Sequence, residues 1–355
     1  MIRVVLVDDS PIALAVLQKI LAPSPDIEVV GTARHGVEAL RIIPKLKPDV
    51  VCTDLHMPHM DGLELTRQIM RNFPLPILVV SISVQNSGDD SNIFQLIEAG
   101  AIDVFPKPRG GLEGSQGASL AYSLSQKIRV LSGVVPIRRH APQGAYCPVP
   151  GDYEAPRLAT RPETQRKKRL VAIGASTGGP QALMTIFSNL PADFSAPILC
   201  VQHMSEGFLM EMIKWLQQHT ALRLSIAQEG ESPRAGHIYF PQEKRHMVIN
   251  AMGRMSMKAG HERESHVPSV DELFHSVAEF YGPTSVGVLL TGMGRDGADG
   301  MKSLHDQQAL TIAQDQASCV VYGMPQKAVE LGAVQYSLSV DNIASELIRC
   351  VTTPS

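Results

Sequence analysis

Three stretches in the first part of the chain, IRVVLVD, PDVVCTD and PILVVSI, are almost unbroken runs of Val, Ile and Leu. A strand with one wet face alternates apolar and polar residues, and these runs do not alternate. They read as strands covered on both faces, which is the pattern of parallel sheets held between helices. Between them the period changes to that of helices, over Pro11–Leu21 and residues 36–46, 61–72, 90–99 and roughly 117–132. IEVVGTA and AIDVFPKP add two strands. Five βα units predict a doubly wound α/β domain over residues 1–133.

The composition then shifts. Residues 134–168 carry prolines at 136, 142, 148, 150, 156 and 162 with few aliphatics, which predicts a flexible linker. A second α/β pattern occupies residues 169–350. RLVAIGA and APILCVQH read as parallel strands joined by a helix at 179–189, and a helix at 207–219 follows. Residues 223–258 have hairpin character, with GHIYF and HMVIN as the clearest strands. Ser269 is placed to cap a helix at 270–281, and Glu272 completes a capping-box spacing. SVGVLLTG, a helix at 297–306, ALTIAQD and a helix at 323–331 finish the second sheet.

A chain of 355 residues has room for about two such domains. The net charge of -3 leaves no broad basic field, so a nucleic-acid partner is not expected. The one basic run, Arg166 to Arg169, reads as a solvated charge cluster beside the linker. No apolar run reaches the ~18 residues of a membrane span, and MIRVVLVDDS meets carboxylates too early for a secretory signal. The five cysteines are scattered, without a CxxC pair, so neither a disulfide framework nor a zinc site is indicated. The expectation is a cytoplasmic protein that does not insert into membranes.

Parallel strands deliver their C-terminal ends to one sheet edge. In the first domain that edge receives Asp8, Asp9, Asp54, Ser81 and Lys107. Three crowded carboxylates repel unless a cation joins them, and Mg²⁺ prefers such oxygen ligands. With Lys107 as counter-charge and Ser81 as hydroxyl, the pocket suits a phosphoryl group built on one carboxylate. On the motifs VDDS, TDLHMPHMDG, VVS and KP, this half resembles the receiver domain of two-component response regulators. The resemblance implies a flavodoxin-like fold and Asp54 as phosphoacceptor. It further implies Mg²⁺ held by Asp8, Asp9, Asp54 and the His56 carbonyl, Ser81 and Lys107 reading the phosphoryl group, and a histidine kinase as phosphodonor. Ile82 departs from the small residue usual after the Ser, and SVQNSGDD lengthens the path from Ser81 to Lys107.

In the second domain GASTG fits G-x-S-x-G, a tight strand-to-helix turn that exposes Ser176. A helix cap is the plain alternative for Ser176. His203, in VQHM, ends the next strand. Asp296 lies in the glycine-rich GMGRDG after a later one. Separately these are ordinary strand-end residues. Together they offer a hydroxyl, a base and a carboxylate to orient the base, with glycines leaving N–H groups for an oxyanion. GMGRDG also spells G-x-G-x-x-G, with Asp315 near the ribose-binding position of a dinucleotide site. Asp296 would then repel the pyrophosphate at the helix N-terminus. His261 and His266, in HERESH, miss the HExxH spacing and read as a solvated loop. Met252, Met255 and Met257 read as packing in a hairpin.

On IGASTGG, VQHM, PSVDELF and LLTGMGRDGADG, residues 169–350 resemble the catalytic domain of the chemotaxis protein-glutamate methylesterases, the CheB family. The resemblance implies a Rossmann-like methylesterase domain with a β-hairpin, Ser176 as nucleophile, His203 as base and Asp296 as its orienter. It assigns the Met293 N–H to the oxyanion and Thr177 to the wall of the site. It implies hydrolysis of glutamate methyl esters and deamidation of glutamines on methyl-accepting chemoreceptors, with no cofactor for the ester chemistry. It also implies that the unphosphorylated receiver covers the cleft and that phosphorylation loosens it. QHMS departs from the more usual QHMP. The alternative is a response regulator whose second domain only binds a protein or ligand.

Overall fold

The computed structural model describes residues 1–82, 93–108, 115–134, 168–261 and 266–352. The linker expected at 134–168 and the SVQNSGDD loop fall almost wholly outside them. The described chain forms two compact units, each with its own sheet.

In the first unit the strands are β1 (Ile2–Val7), β2 (Ile27–Ala33), β3 (Val50–Thr53), β4 (Ile77–Ser81) and β5 (Asp103–Pro106). The helices are α1 (Pro11–Leu21), α2 (Gly36–Leu46), α3 (Gly62–Asn72), α4 (Phe94–Glu98) and α5 (Ser115–Ser132). All strand pairs are parallel, in the order β2-β1-β3-β4-β5. The unbroken aliphatic runs are buried, with Val4, Val5, Leu6, Val50, Val51, Ile77, Leu78 and Val79 closed to solvent. Helix starts are set by local chemistry. Ser10 accepts from the Ala13 N–H ahead of a proline-led α1, and Asp61 accepts from the Glu64 N–H ahead of α3.

The second unit holds β6 (Leu170–Ala175), β7 (Ile198–Gln202), β8 (Arg223–Ile226), β9 (His237–Phe240), β10 (Arg245–Ile249), β11 (Met255–Ala259), β12 (Ser285–Leu289), β13 (Leu310–Gln314) and β14 (Tyr336–Leu338). Its helices are α6 (Gly179–Ser188), α7 (Leu209–Gln217), α8 (Val270–Phe280), α9 (Ala298–Asp306), α10 (Met324–Glu330) and α11 (Val340–Thr352). Seven strands form one parallel sheet in the order β14-β13-β12-β6-β7-β9-β8. β10 and β11 pair separately as an antiparallel hairpin. The GHIYF segment, read as half of a hairpin, instead enters the main sheet as β9, parallel to β7 and β8. Its Ile238, Tyr239 and Phe240 are fully buried, which a two-stranded ribbon could not achieve. Met255 and Met257 pack as expected in the hairpin, whereas Met252 stands 81% exposed at its turn. β14 and α11 extend the unit beyond the elements read from sequence.

Two local readings are corrected. Lys168, read as part of a solvated basic run, is buried, and its amine donates to the Pro283 carbonyl at 2.9 Å. At α8, Ser269 does cap the helix by accepting from the Glu272 N–H. The return bond of a capping box is absent, because the Ser269 N–H donates to His246 Nδ1 at 3.1 Å. No helix among the described residues is long and apolar enough to cross a membrane.

Val270, the first residue of α8, is fully buried between two glycines. A Cβ on Gly174 would come within 2.2 Å of a Val270 methyl, and one on Gly297 within 2.7 Å. Gly174→Ala should therefore overpack this junction and destabilise the second unit by about 1–3 kcal/mol. A lower urea midpoint measures it, and an unchanged midpoint would show that α8 can shift freely.

Candidate active site

β6 and β7 run in register from Val171 opposite Ile198 to Ala175 opposite Gln202. The His203 N–H then donates to the Ala175 carbonyl at 2.9 Å. Ser176 and His203 thus leave the sheet as neighbours. On the other side of β6, the Ser176 N–H donates to the Thr291 carbonyl at 3.0 Å, which brings the turn after β12 alongside. The strand order reverses between β6 and β12, where open α/β sheets hold their ligands.

Ser176 is not a helix cap, and Asp296 does not cap the helix that follows it. Helix α6 is capped by Gly178 at φ +78° and α9 by Gly297 at φ +90°, neither with a side-chain bond. Asp296 instead crosses to the N-terminus of α8. Its Oδ2 accepts from the Val270 N–H at 2.7 Å. Its Oδ1 accepts from the Ser269 hydroxyl at 2.8 Å and the Asp271 N–H at 3.1 Å. His203 Nε2 lies 2.7 Å from Oδ2. Burial opposes ionisation of Asp296. His203 and the α8 N–H groups outweigh it and hold the pKa well below the usual carboxylate range. Asp271 goes the other way: burial, with Asp296 beside it, raises its pKa against the bond from the Gly300 N–H.

With Nε2 engaged by Asp296, His203 Nδ1 is buried and makes no hydrogen bond among the described residues. No hydrogen bond joins the half-buried Ser176 hydroxyl to this ring. The structure therefore bonds His203 to Asp296 and sets Ser176 beside them without a direct bond. Gly292 lets the β12 turn close on Ser176, since a Cβ there would sit 2.7 Å from Ser176 Cβ. Met293 follows, 39% exposed, and no described residue accepts from its N–H. Thr177 is buried, and its carbonyl accepts from the Thr291 hydroxyl at 3.0 Å.

The sequence reading missed two residues here. Gln202 donates from its one amide nitrogen to the carbonyls of both Ser176 and His203, at 2.8 Å each. A buried amide closing an otherwise apolar strand was the available signal. His266, read as part of a solvated loop, stacks on His203 instead, with ring centroids 4.4 Å apart and planes 8° from parallel. No spacing rule points to it. The dinucleotide reading of GMGRDG loses its ribose-binding acid, because Asp315 accepts from the Ser318 N–H and hydroxyl at 2.9 and 2.7 Å.

In the first unit, Asp8, Asp54, Ser81 and Lys107 all lie at strand ends, as read. The Lys107 amine sits 2.7 Å from both Asp8 Oδ2 and Asp54 Oδ2, and its N–H donates to the Ser81 carbonyl at 2.8 Å. Burial would lower the Lys107 pKa, but the two carboxylates raise it. Burial raises that of Asp8 against the pull of Lys107 and the Ser10 N–H. Asp8, Asp9 and Asp54 each offer an oxygen within 4.8 Å of the others, a donor set that fits a hard divalent cation. Asp8 and Asp54 are buried, Asp9 is exposed, and His56 is exposed in the turn after β3.

Residues 171–347 match the family model described as CheB methylesterase, and residues 4–113 match that of the response regulator receiver domain. A protein-glutamate methylesterase/protein-glutamine glutaminase of Syntrophus aciditrophicus is 39% identical over 349 residues, covering 98% of both chains. One from Hahella chejuensis is 43% identical over 345 residues, covering 97% of both. The crystal structure of the Thermotoga maritima CheB methylesterase catalytic domain aligns with TM-score 0.50 at 34% identity, over 52% of this chain and 99% of that one.

Folding depresses the Asp296 pKa. Its contribution to stability is therefore present above the unfolded carboxylate value of about 3.9 and is lost as pH falls below it. Urea midpoints of the second unit at about pH 6, 4 and 3 should fall less steeply for Asp296→Asn than for the unaltered chain. Parallel slopes would mean that Asp296 is not the group responsible.

Proposed function

Because the chain belongs to the CheB methylesterase family and carries a response-regulator receiver domain ahead of its methylesterase domain, we propose that it hydrolyses glutamate methyl esters on methyl-accepting chemoreceptors. It also deamidates their glutamines, acts in the cytoplasm, and is stimulated by phosphorylation of its receiver. The observation that carries the reading is the 2.7 Å bond between His203 Nε2 and Asp296. It lies on a residue that sheet register sets next to Ser176.

Asp296 holds the proton on Nε2 and leaves the Nδ1 lone pair to act as base. For this the Ser176 hydroxyl must turn to Nδ1, which it does not bond in the structure. As Ser176 attacks the ester carbonyl, its proton passes to His203. Asp296 then faces an imidazolium, whose charge it balances. The negative charge on the carbonyl oxygen falls to the Met293 N–H, with Thr177 lining the site. Collapse releases methanol, which leaves with the proton from His203; a glutamine substrate releases ammonia by the same route. Water activated by His203 then frees the glutamate and restores Ser176. Protein groups and water suffice for each of these steps.

In the receiver, Asp54 is the phosphoacceptor and a histidine kinase the donor. Asp8, Asp9, Asp54 and the His56 carbonyl would hold Mg²⁺, which offsets the negative charge that gathers around a phosphoryl group. Lys107, already on Asp54, and the Ser81 hydroxyl would bind the phosphoryl oxygens.

Membranes carrying methylated receptors should release methanol with the unaltered protein and at least ~10³-fold more slowly with Ser176→Ala. Undiminished release would remove Ser176 from the chemistry. With Asp54→Asn, the ratio of activity with a small phosphodonor to activity without it should fall to one. A ratio equal to that of the unaltered protein would place regulation elsewhere.

A further inference from the structure

We propose that His266 is a positioning residue for the base: its imidazole lies flat on the His203 ring and fixes the plane in which that ring works. The inference rests on the reading of His203 as base. The known contacts of His203 all grip it at the main chain or along one edge. Its N–H is held by Ala175, its carbonyl by Gln202 and its Nε2 by Asp296. A ring held at one edge can still swing about that edge, carrying Nδ1 away from the neighbouring strand. Only a contact on its face opposes the swing, and His266 supplies one at 4.4 Å with planes 8° apart.

The segment from His266 into α8 grips both partners of this pair. Ser269, Val270 and Asp271 hold the carboxylate of Asp296, while His266 covers the ring that Asp296 orients. The packing around His266, together with the neighbouring His203, keeps its pKa below the ordinary histidine range against the pull of Asp296, although part of the residue is open to solvent. This favours its uncharged form. An uncharged aromatic face favours the imidazolium formed when His203 takes a proton, where a second positive charge would oppose it.

The test uses the full-length protein and a small chromogenic ester, which does not depend on receptor docking, with His266→Ala, His266→Leu and His266→Phe. Loss of the face contact should lower kcat by about tenfold in the Ala and Leu variants with KM changed less than about twofold, and the planar Phe should keep about half of kcat or more. A kcat for His266→Ala equal to that of the unaltered protein, a Leu variant as active as Phe, or a loss confined to KM would overturn the proposal. The His203 ring-proton shifts by NMR give a second measurement. They should move in His266→Ala as the ring current is lost, and unchanged shifts would also overturn the stacking. His203→Ala in the same ester assay separates the two levels. If it retains full activity, the reading of His203 as base fails. If it abolishes activity while His266→Ala does not reduce it, only the present inference fails.

Discussion

A buried carboxylate must be compensated by the groups around it, and Asp296 is compensated from two sides at once. The open N–H groups at the start of α8 take part of its charge and His203 takes the rest. The first contact makes the second dependable. Because α8 holds the carboxylate ionised and fixed, the carboxylate can hold the imidazole in one tautomer and one direction. Val270, wedged between Gly174 and Gly297, sets how closely the helix start approaches the sheet edge. Small residues in the core thereby set the geometry of a polar site several bonds away.

The receiver pocket follows the same electrostatic logic with a different solution. Its carboxylates come from separate strand ends, and a lysine from a further strand lies across two of them. The charge is balanced by a single lysine side chain rather than by a helix end, so a cation bound among the carboxylates would redistribute the balance.

Much of this was legible from the residues. Unbroken aliphatic runs identify doubly covered parallel strands, and such strands must bring their terminal polar residues to one edge. Asp8, Asp54, Ser81, Lys107, Ser176 and His203 follow from that alone. Asp296 could be named, but its direction could not, because a strand-to-helix turn puts an Asp equally well on its own helix or across the site. His266 and Gln202 were missed for separate reasons. The stacking of His266 depends on how the segment entering α8 crosses the sheet edge, which leaves no periodic trace. Gln202 works through main-chain carbonyls, which sequence does not display. β9 was misread because a short aliphatic strand beside a hairpin carries no mark of which partner it will choose.

His203 meets its carboxylate through the nitrogen farther from its own main chain, and in the proposed chemistry the nearer one is left for the alcohol. The nearer nitrogen has little reach, so the alcohol has to stand on the adjoining strand, one register step away. The carboxylate, met at the ring's far tip, is free to arrive from a distant loop. That division of reach explains how the chain order Ser, His, Asp becomes workable on a parallel sheet. It also implies that a one-residue slip between β6 and β7 would disarm the site even if every side chain in it were kept.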